Sequence, residues 1–227
     1  VRIEREFRYE EDLSGLEVNL TRVLAGDSLV HTLGYGVEYE RTETREQRDG
    51  QETDLSTGTT TSTVAGESFP RRDFPVSVTH QSGAYLVDEI RFGDSGWTLI
   101  PGVRVDYYDL DPEPDDLFRA STPTPAVVDI NEAAVSPKLG VTYRLNRAWS
   151  AFAQYARGFR APPSDEVNSG FAITSPRGSF RALPNPDLGA ETSDGLELGL
   201  RRIGGLTRVE LATFYTRYDD FIESRAF

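Results

Sequence analysis

The sequence predicts an all-β chain, an antiparallel up-and-down meander forming part of a transmembrane β-barrel with short turns at one end and long loops at the other. Three observations carry this. Apolar residues recur with a period of two rather than 3.6. Tight-turn sequences alternate with long polar segments, the asymmetry of barrels with short periplasmic turns and long external loops. Several strand runs exceed the five or six residues usual in soluble sheets, and an extension beyond a bilayer accounts for the surplus.

In chain order, a partial strand near 1–9 leads through a polar link, 10–13, to a strand near 14–24, where Leu16, Val18 and Leu20 alternate with Glu17, Asn19 and Thr21. After the turn 25–28 comes a strand over 29–46, with Leu29, His31, Leu33, Tyr35, Val37 and Tyr39 on one face. Strands at 76–93 and 97–111 flank the turn 94–96, and strands at 133–145 and 148–160 flank Asn146 and Arg147. The last pair, 193–203 and 206–222, flanks Gly204 and Gly205, which is hairpin chemistry. The long segments 47–75, 112–132 and 161–192 lie at the opposite end. Alternation alone does not say which face is inward. A soluble β-sandwich adhesive or binding protein, with the aromatic face as a closed core, is the alternative architecture.

Composition narrows the function. Lys and Arg total 24 against 37 Asp and Glu, a net charge of −13, which argues against a nucleic-acid partner. With no cysteine there is no disulfide framework, thiolate metal site or catalytic thiol. Two histidines, His31 and His80, without a placed Ser or Asp partner make an enzyme improbable, and no intrinsic cofactor or resident metal is expected. The absence of methionine implies a processed product or an excised piece. Trp97 and Trp149 both follow short turns, with Tyr35, Tyr39, Tyr107, Tyr108 and Tyr155 near strand ends, as interfacial girdles require.

Several stretches resemble a known family. They are His31–Tyr39, Gly83–Ile90, Leu99–Tyr107, Ser136–Tyr143, Tyr155–Pro162, Asn185–Leu188, Glu191–Ser193 with Glu197–Leu200, and Phe214–Ile222. In this order they are similar to the TonB-dependent outer-membrane receptors, particularly the heme and hemoglobin receptor branch. The resemblance implies a barrel of about 22 strands, of which residues 1–227 supply about nine within one barrel domain. The plug and the segment that engages TonB are not among them. It implies a protein of the Gram-negative outer membrane, surrounded by lipid, that takes up heme or iron from a heme protein as transported ligand. A ferric siderophore or another nutrient is the alternative cargo. Phe227 is not expected to be a terminal barrel-assembly signal, since Glu223–Phe227 lacks clean alternation.

The resemblance also marks a ligand-loop motif: Phe159, Arg160, Ala161 and Pro162 on one side, and Asn185, Pro186, Asp187 and Leu188 on the other. In that branch the loop between them usually carries a heme-ligating histidine. Here 163–184 has none, which raises the siderophore reading. His80, at the start of the strand after loop 47–75, is the remaining candidate for a heme-iron ligand, whereas His31 lies next to a turn. The motif prolines also brace the loop ends, and Asn185-Pro186-Asp187 reads as a turn initiator. The acidic run Asp109–Phe118 lacks EF-hand spacing, and the lumen charges Arg104, Asp106, Lys138, Arg144, Glu197 and Arg201 are expected to pair with one another or with the plug.

Overall fold

The computed structural model describes residues 1–121, 127–168, 171–175, 178–182, 185 and 187–222. Eight long strands pair in chain order as one antiparallel sheet: β1 (Arg2–Ala25), β2 (Leu29–Thr53), β3 (Val76–Phe92), β4 (Trp97–Glu113), β5 (Ile130–Arg144), β6 (Trp149–Arg160), β7 (Glu191–Gly204) and β8 (Thr207–Asp219). Thr60–Thr61 folds back to add two residues beside the end of β2. Phe171–Ser175 and Gly178–Ala182 form a separate hairpin within the 161–190 connection. Two short helices, α1 (Asp116–Ser121) and α2 (Ser164–Val167), also lie at the loop end.

Two boundaries differ from expectation. Residues 10–13 are not a link: Glu10 pairs Arg45 and Leu13 pairs Thr42, so β1 is one continuous strand. β2 runs on to Thr53, opposite Arg2. Both faces of this extension are polar, so the two-residue hydrophobic period that marks a half-buried strand is lost while the backbone ladder continues. Some 9–11 tilted residues cross a bilayer, so the 25 residues of β2 reach far beyond that thickness.

The register lines up the faces. On one, Leu20, Tyr35, Leu86 and Val103 stand in a row, and Val18, Val37, Ala84, Val105 and Val135 in the next. The same face continues through Leu139, Tyr155, Leu196 and Tyr215. These side chains stay open: Val105 is 49% exposed and Leu211 71%. No second sheet packs on this face among the described residues, so the sandwich alternative, which needs a closed core there, is overturned.

The opposite face is polar and glycine-rich. The buried core lies on this side at the loop end, where Tyr108, Leu110 and Ile130 pack with Val167 of α2, and Val128, Ala161 and Leu188 close around them. Tyr108 therefore belongs to this core and not to a girdle. Inward folding of the loops is pinned by a buried hydrogen bond between the Ser77 and Ser164 hydroxyls, 2.6 Å apart.

Candidate functional site

β6 ends at Arg160 and β7 begins at Glu191, directly opposite each other in the register. Arg160 donates through Nη1 to Glu191 Oε2 at 2.9 Å and through Nη2 to Glu166 Oε1 of α2 at 2.8 Å. Glu191 Oε1 accepts the Ile222 N–H at 2.6 Å. One guanidinium therefore ties the 161–190 connection to both of its strands, and the carboxylate extends the tie to the segment after β8. The Ile222 N–H and then Arg160 hold Glu191 below the usual carboxylate range. The carboxylates of Glu166 and Glu191 in turn raise the Arg160 guanidinium above its ordinary value.

Ala161 packs against the Tyr108–Leu110–Ile130–Val167 core, as does Leu188 from the other side of the loop. Pro162 is fully buried. Phe159 is half-buried and pairs with Thr192 across the β6–β7 ladder. Asn185 Oδ1 accepts the Asp187 N–H at 3.2 Å, the Asx geometry that turns a chain. Pro186 lies outside the described residues, as do Glu223–Phe227. Five of the motif residues, Phe159, Arg160, Ala161, Pro162 and Leu188, thus gather where the loop meets the sheet, and Asn185 and Asp187 form the turn that leads into it.

A cleft of about 450 Å³ opens below this junction, bordered by Glu38, Gln81, Arg104, Asp106, Tyr108 and Arg160. Arg104 donates from Nε to Asp106 Oδ1 at 2.7 Å, and its Nη2 reaches Glu38 two strands away. It crosses over Gly83, where any Cβ would collide with the guanidinium. Phe152 likewise lies over Gly199, with the Arg201 guanidinium 5.4 Å from the ring centroid. Glycine on this face makes room for long side chains to lie flat along the wall. Its charges alternate, so it suits a ligand with polar or chelating groups better than a greasy one.

A family model described as "TonB dependent receptor-like, beta-barrel" matches residues 4–227. The chain belongs to this family. Its sheet is accordingly a sector of barrel wall. The hemoglobin-haptoglobin utilization protein B of Neisseria meningitidis serogroup C is 38% identical over 91 residues, covering 40% of this chain and 11% of that protein. The hemoglobin-haptoglobin-binding protein A of Haemophilus influenzae is 42% identical over 71 residues, 31% of this chain and 6% of that protein. The chain therefore spans a small part of these relatives. Among solved structures, the Serratia marcescens hemophore receptor HasR with its hemophore HasA and heme superposes with a TM-score of 0.70 at 17% identity, covering 95% of this chain and 34% of that one. The ferric citrate transporter FecA gives 0.66 at 21% identity, covering 95% and 29%.

Within this receptor-family sector, His80 stands on the apolar face, its Nδ1 2.7 Å from Tyr39 Oη, and not over the polar cleft. His31 is also on the apolar face, near the turn end, with Nδ1 2.6 Å from Asp88 Oδ2. Of the acidic run, Asp115 caps α1 through the Phe118 N–H at 2.9 Å and lies 3.2 Å from Arg72. Among the expected lumen charges, Arg104 pairs with Asp106, Arg201 with Glu210, and Glu197 accepts from Gln154.

One anchor escaped the sequence reading. Glu46 is 1% exposed, and its Oε2 accepts the Asp73 N–H at 2.9 Å, while Arg48 pairs with Asp73 at 2.8 Å. Burial pushes the Glu46 carboxyl above its ordinary range, despite the hydrogen bond from Asp73. The alternating Glu and Arg of 40–52 offered no cue to which carboxylate would be buried, because partner and cover come from residues more than 25 positions away.

Proposed function

We propose that the chain is part of the wall of an outer-membrane receptor of a Gram-negative bacterium that takes up heme or heme-protein-derived iron. In this reading the apolar face meets lipid, and the loops above the Arg160–Glu191 junction meet the cargo. Residues 1–227 then belong to a single barrel domain, with plug and remaining strands supplied by the rest of the receptor. Energy relayed by TonB acts on the plug, and the wall described here supplies the polar channel and the anchored loops. The observation that carries the cargo is local identity of 38–42% to proteins named for hemoglobin–haptoglobin use.

A second reading, uptake of a ferric siderophore, is favoured by one feature: segment 163–184 contains no histidine. The alternating charges of the cleft suit a chelate equally well. Hemin titrated into the intact receptor in detergent, followed at the Soret band, separates the two. A saturable red shift is expected. No shift, together with tight binding of a ferric chelate, overturns the heme reading and leaves the siderophore one.

A further inference from the structure

The polar face holds another cavity at the loop end, between strands β1–β4 and α2. It measures about 260 Å³ and is walled by the rings of Tyr9, Phe74 and Tyr108, with Glu11, Glu40 and Asp165 on its border. Among the described residues no Lys or Arg lines it, whereas Arg104 and Arg160 border the neighbouring cleft.

The register brings these groups together on one face. Tyr9 pairs with Glu46 and Glu11 with Thr44 in the β1–β2 ladder. Glu40 pairs with Gln81, and Gln81 in turn with Tyr108. Phe74 meets Tyr9 edge-on, with ring centroids 6.5 Å apart. The hydrogen bond between the Ser77 and Ser164 hydroxyls pins the start of α2, which sets Asp165 at the cavity. Tyr9 Oη donates to Glu11 Oε2 at 3.2 Å. Burial first, then Glu11 and Asp165, raise the Tyr9 hydroxyl above its ordinary value. Among the described residues none of the three carboxylates forms an ion pair, unlike Asp106 and Glu191. Nor do three carboxylate or histidine side chains converge there as metal ligands do. Aromatic faces beside unpaired carboxylates attract an organic cation.

We propose that this cavity takes the ammonium of a lysine side chain presented by a protein cargo. The volume lies just under the range of about 300–1,000 Å³ that whole small-molecule ligands occupy, and suits one long side chain. The rings of Tyr9 and Phe74 flank the methylene stem, and Glu11, Glu40 and Asp165 receive the charge. An arginine is the less favoured occupant, because its planar fork matches a single carboxylate. The three donors of an ammonium suit carboxylates that arrive from β1, β2 and α2.

The proposal rests on the reading of a heme-protein cargo, so the test separates the two. Native, lysine-acetylated and lysine-dimethylated hemoglobin are titrated against the intact receptor in detergent, and hemin is titrated separately at the Soret band. Acetylation removes the lysine charge and dimethylation keeps it. Wild type is expected to bind native and dimethylated hemoglobin alike. The acetylated form should bind about tenfold more weakly, the scale of one ammonium held by rings and carboxylates. Tyr9→Leu, which leaves the net charge unchanged, and Asp165→Asn should each narrow that gap to about threefold, with the hemin response of wild type. Equal affinity of wild type for native and acetylated hemoglobin, or a full gap in both variants, overturns the proposal. A flat hemin response with no hemoglobin bound overturns the cargo reading instead. Calorimetry with butylammonium chloride against sodium chloride then decides the cavity. Saturable heat that both variants lose upholds the cation site, and no heat beyond that of sodium overturns it.

Discussion

Tyr39 Oη and His80 Nδ1 lie 2.7 Å apart on the apolar face, with their rings stacked at a centroid separation of 6.0 Å. The pattern repeats around the sheet. Tyr107 donates to Asn131 Oδ1 at 2.6 Å and Tyr155 to Asp194 Oδ1 at 2.6 Å. In each case the partner stands nearer the loop end than the residue opposite the tyrosine, so the hydroxyl tips away from the apolar band. A ring that is apolar in body and polar at its tip settles at a membrane boundary in this way. In the proposed membrane setting, His80 is the polar partner of a girdle tyrosine.

That geometry yields the first prediction. His80→Ala is expected to leave the Soret titration of the intact receptor with hemin unchanged. Stability should shift by no more than about 0.5 kcal/mol, as for a surface substitution. A lost or blue-shifted Soret response in the variant contradicts it and returns His80 to the role of iron ligand.

The Arg160–Glu191 junction carries the second. The Glu191 pKa is held below its unfolded value, so its contribution is present above the unfolded pKa and is lost as pH falls through the folded one. Arg160→Ala removes a guanidinium shared by Glu166 and Glu191 from a half-exposed position. The expected cost is about 1 kcal/mol, discounted for solvent screening. Hydrogen exchange over 161–190 should speed up at pH 7 in the variant. Wild type should show the same acceleration only as the medium is acidified below the ordinary carboxylate range. Unchanged exchange in the variant at pH 7 counts against the anchoring role.

Glu46 runs in the opposite direction. Its folded pKa is raised, so it favours the folded state most below its unfolded pKa and loses that advantage as pH rises through the folded value. Glu46→Gln keeps an acceptor for the Asp73 N–H and removes the buried charge. At pH 8 it should stabilise the 54–75 loop by on the order of 1 kcal/mol, seen as slower proteolysis of that loop. At pH 4 variant and wild type should converge. Faster cleavage of the variant at pH 8 means that attraction to Arg48 and Arg72 outweighs desolvation.

What the sequence revealed follows from the reach of its signals. Alternation such as Leu29 to Tyr39 marks a strand because one face is apolar, and the turns at 146–147 and 204–205 are local chemistry. The continuation of β2 beyond residue 46 has no such contrast, and Glu10, Glu11 and Asp12 interrupt it in β1, so the unbroken pairing is invisible until the register Arg2–Thr53 is seen. The motif residues could be named, but the partnership of Arg160 with Glu191 spans 31 positions that no local pattern encodes. By contrast, the face on which His80 stands follows by counting, since Val76 and Val78 alternate with Ser77 and Thr79, and Ala84 and Leu86 carry the same phase onward. Tyr108, two residues from Asp106 and on its face, was open to correct placement by counting alone.

The wall itself supplies the last prediction. Gly36 lies on the polar face between Asn19 and Tyr85, and Tyr85 Oη donates to Asn19 Oδ1 at 2.5 Å across it. A Cβ at Gly36 would stand 2.6 Å from Val18 O and 2.7 Å from the Tyr85 ring, and the carbonyl cannot yield without bending the β1–β2 ladder. Gly36→Ala should therefore cost about 1–3 kcal/mol, the range for overpacking. The temperature at which the intact barrel loses its compact electrophoretic mobility should fall accordingly. Gly189→Ala is the control, because nothing lies within 4 Å of its Cβ position. Equal midpoints for the two variants mean that β1 moves away freely at Gly36, and that the Tyr85–Asn19 bridge does not hold it.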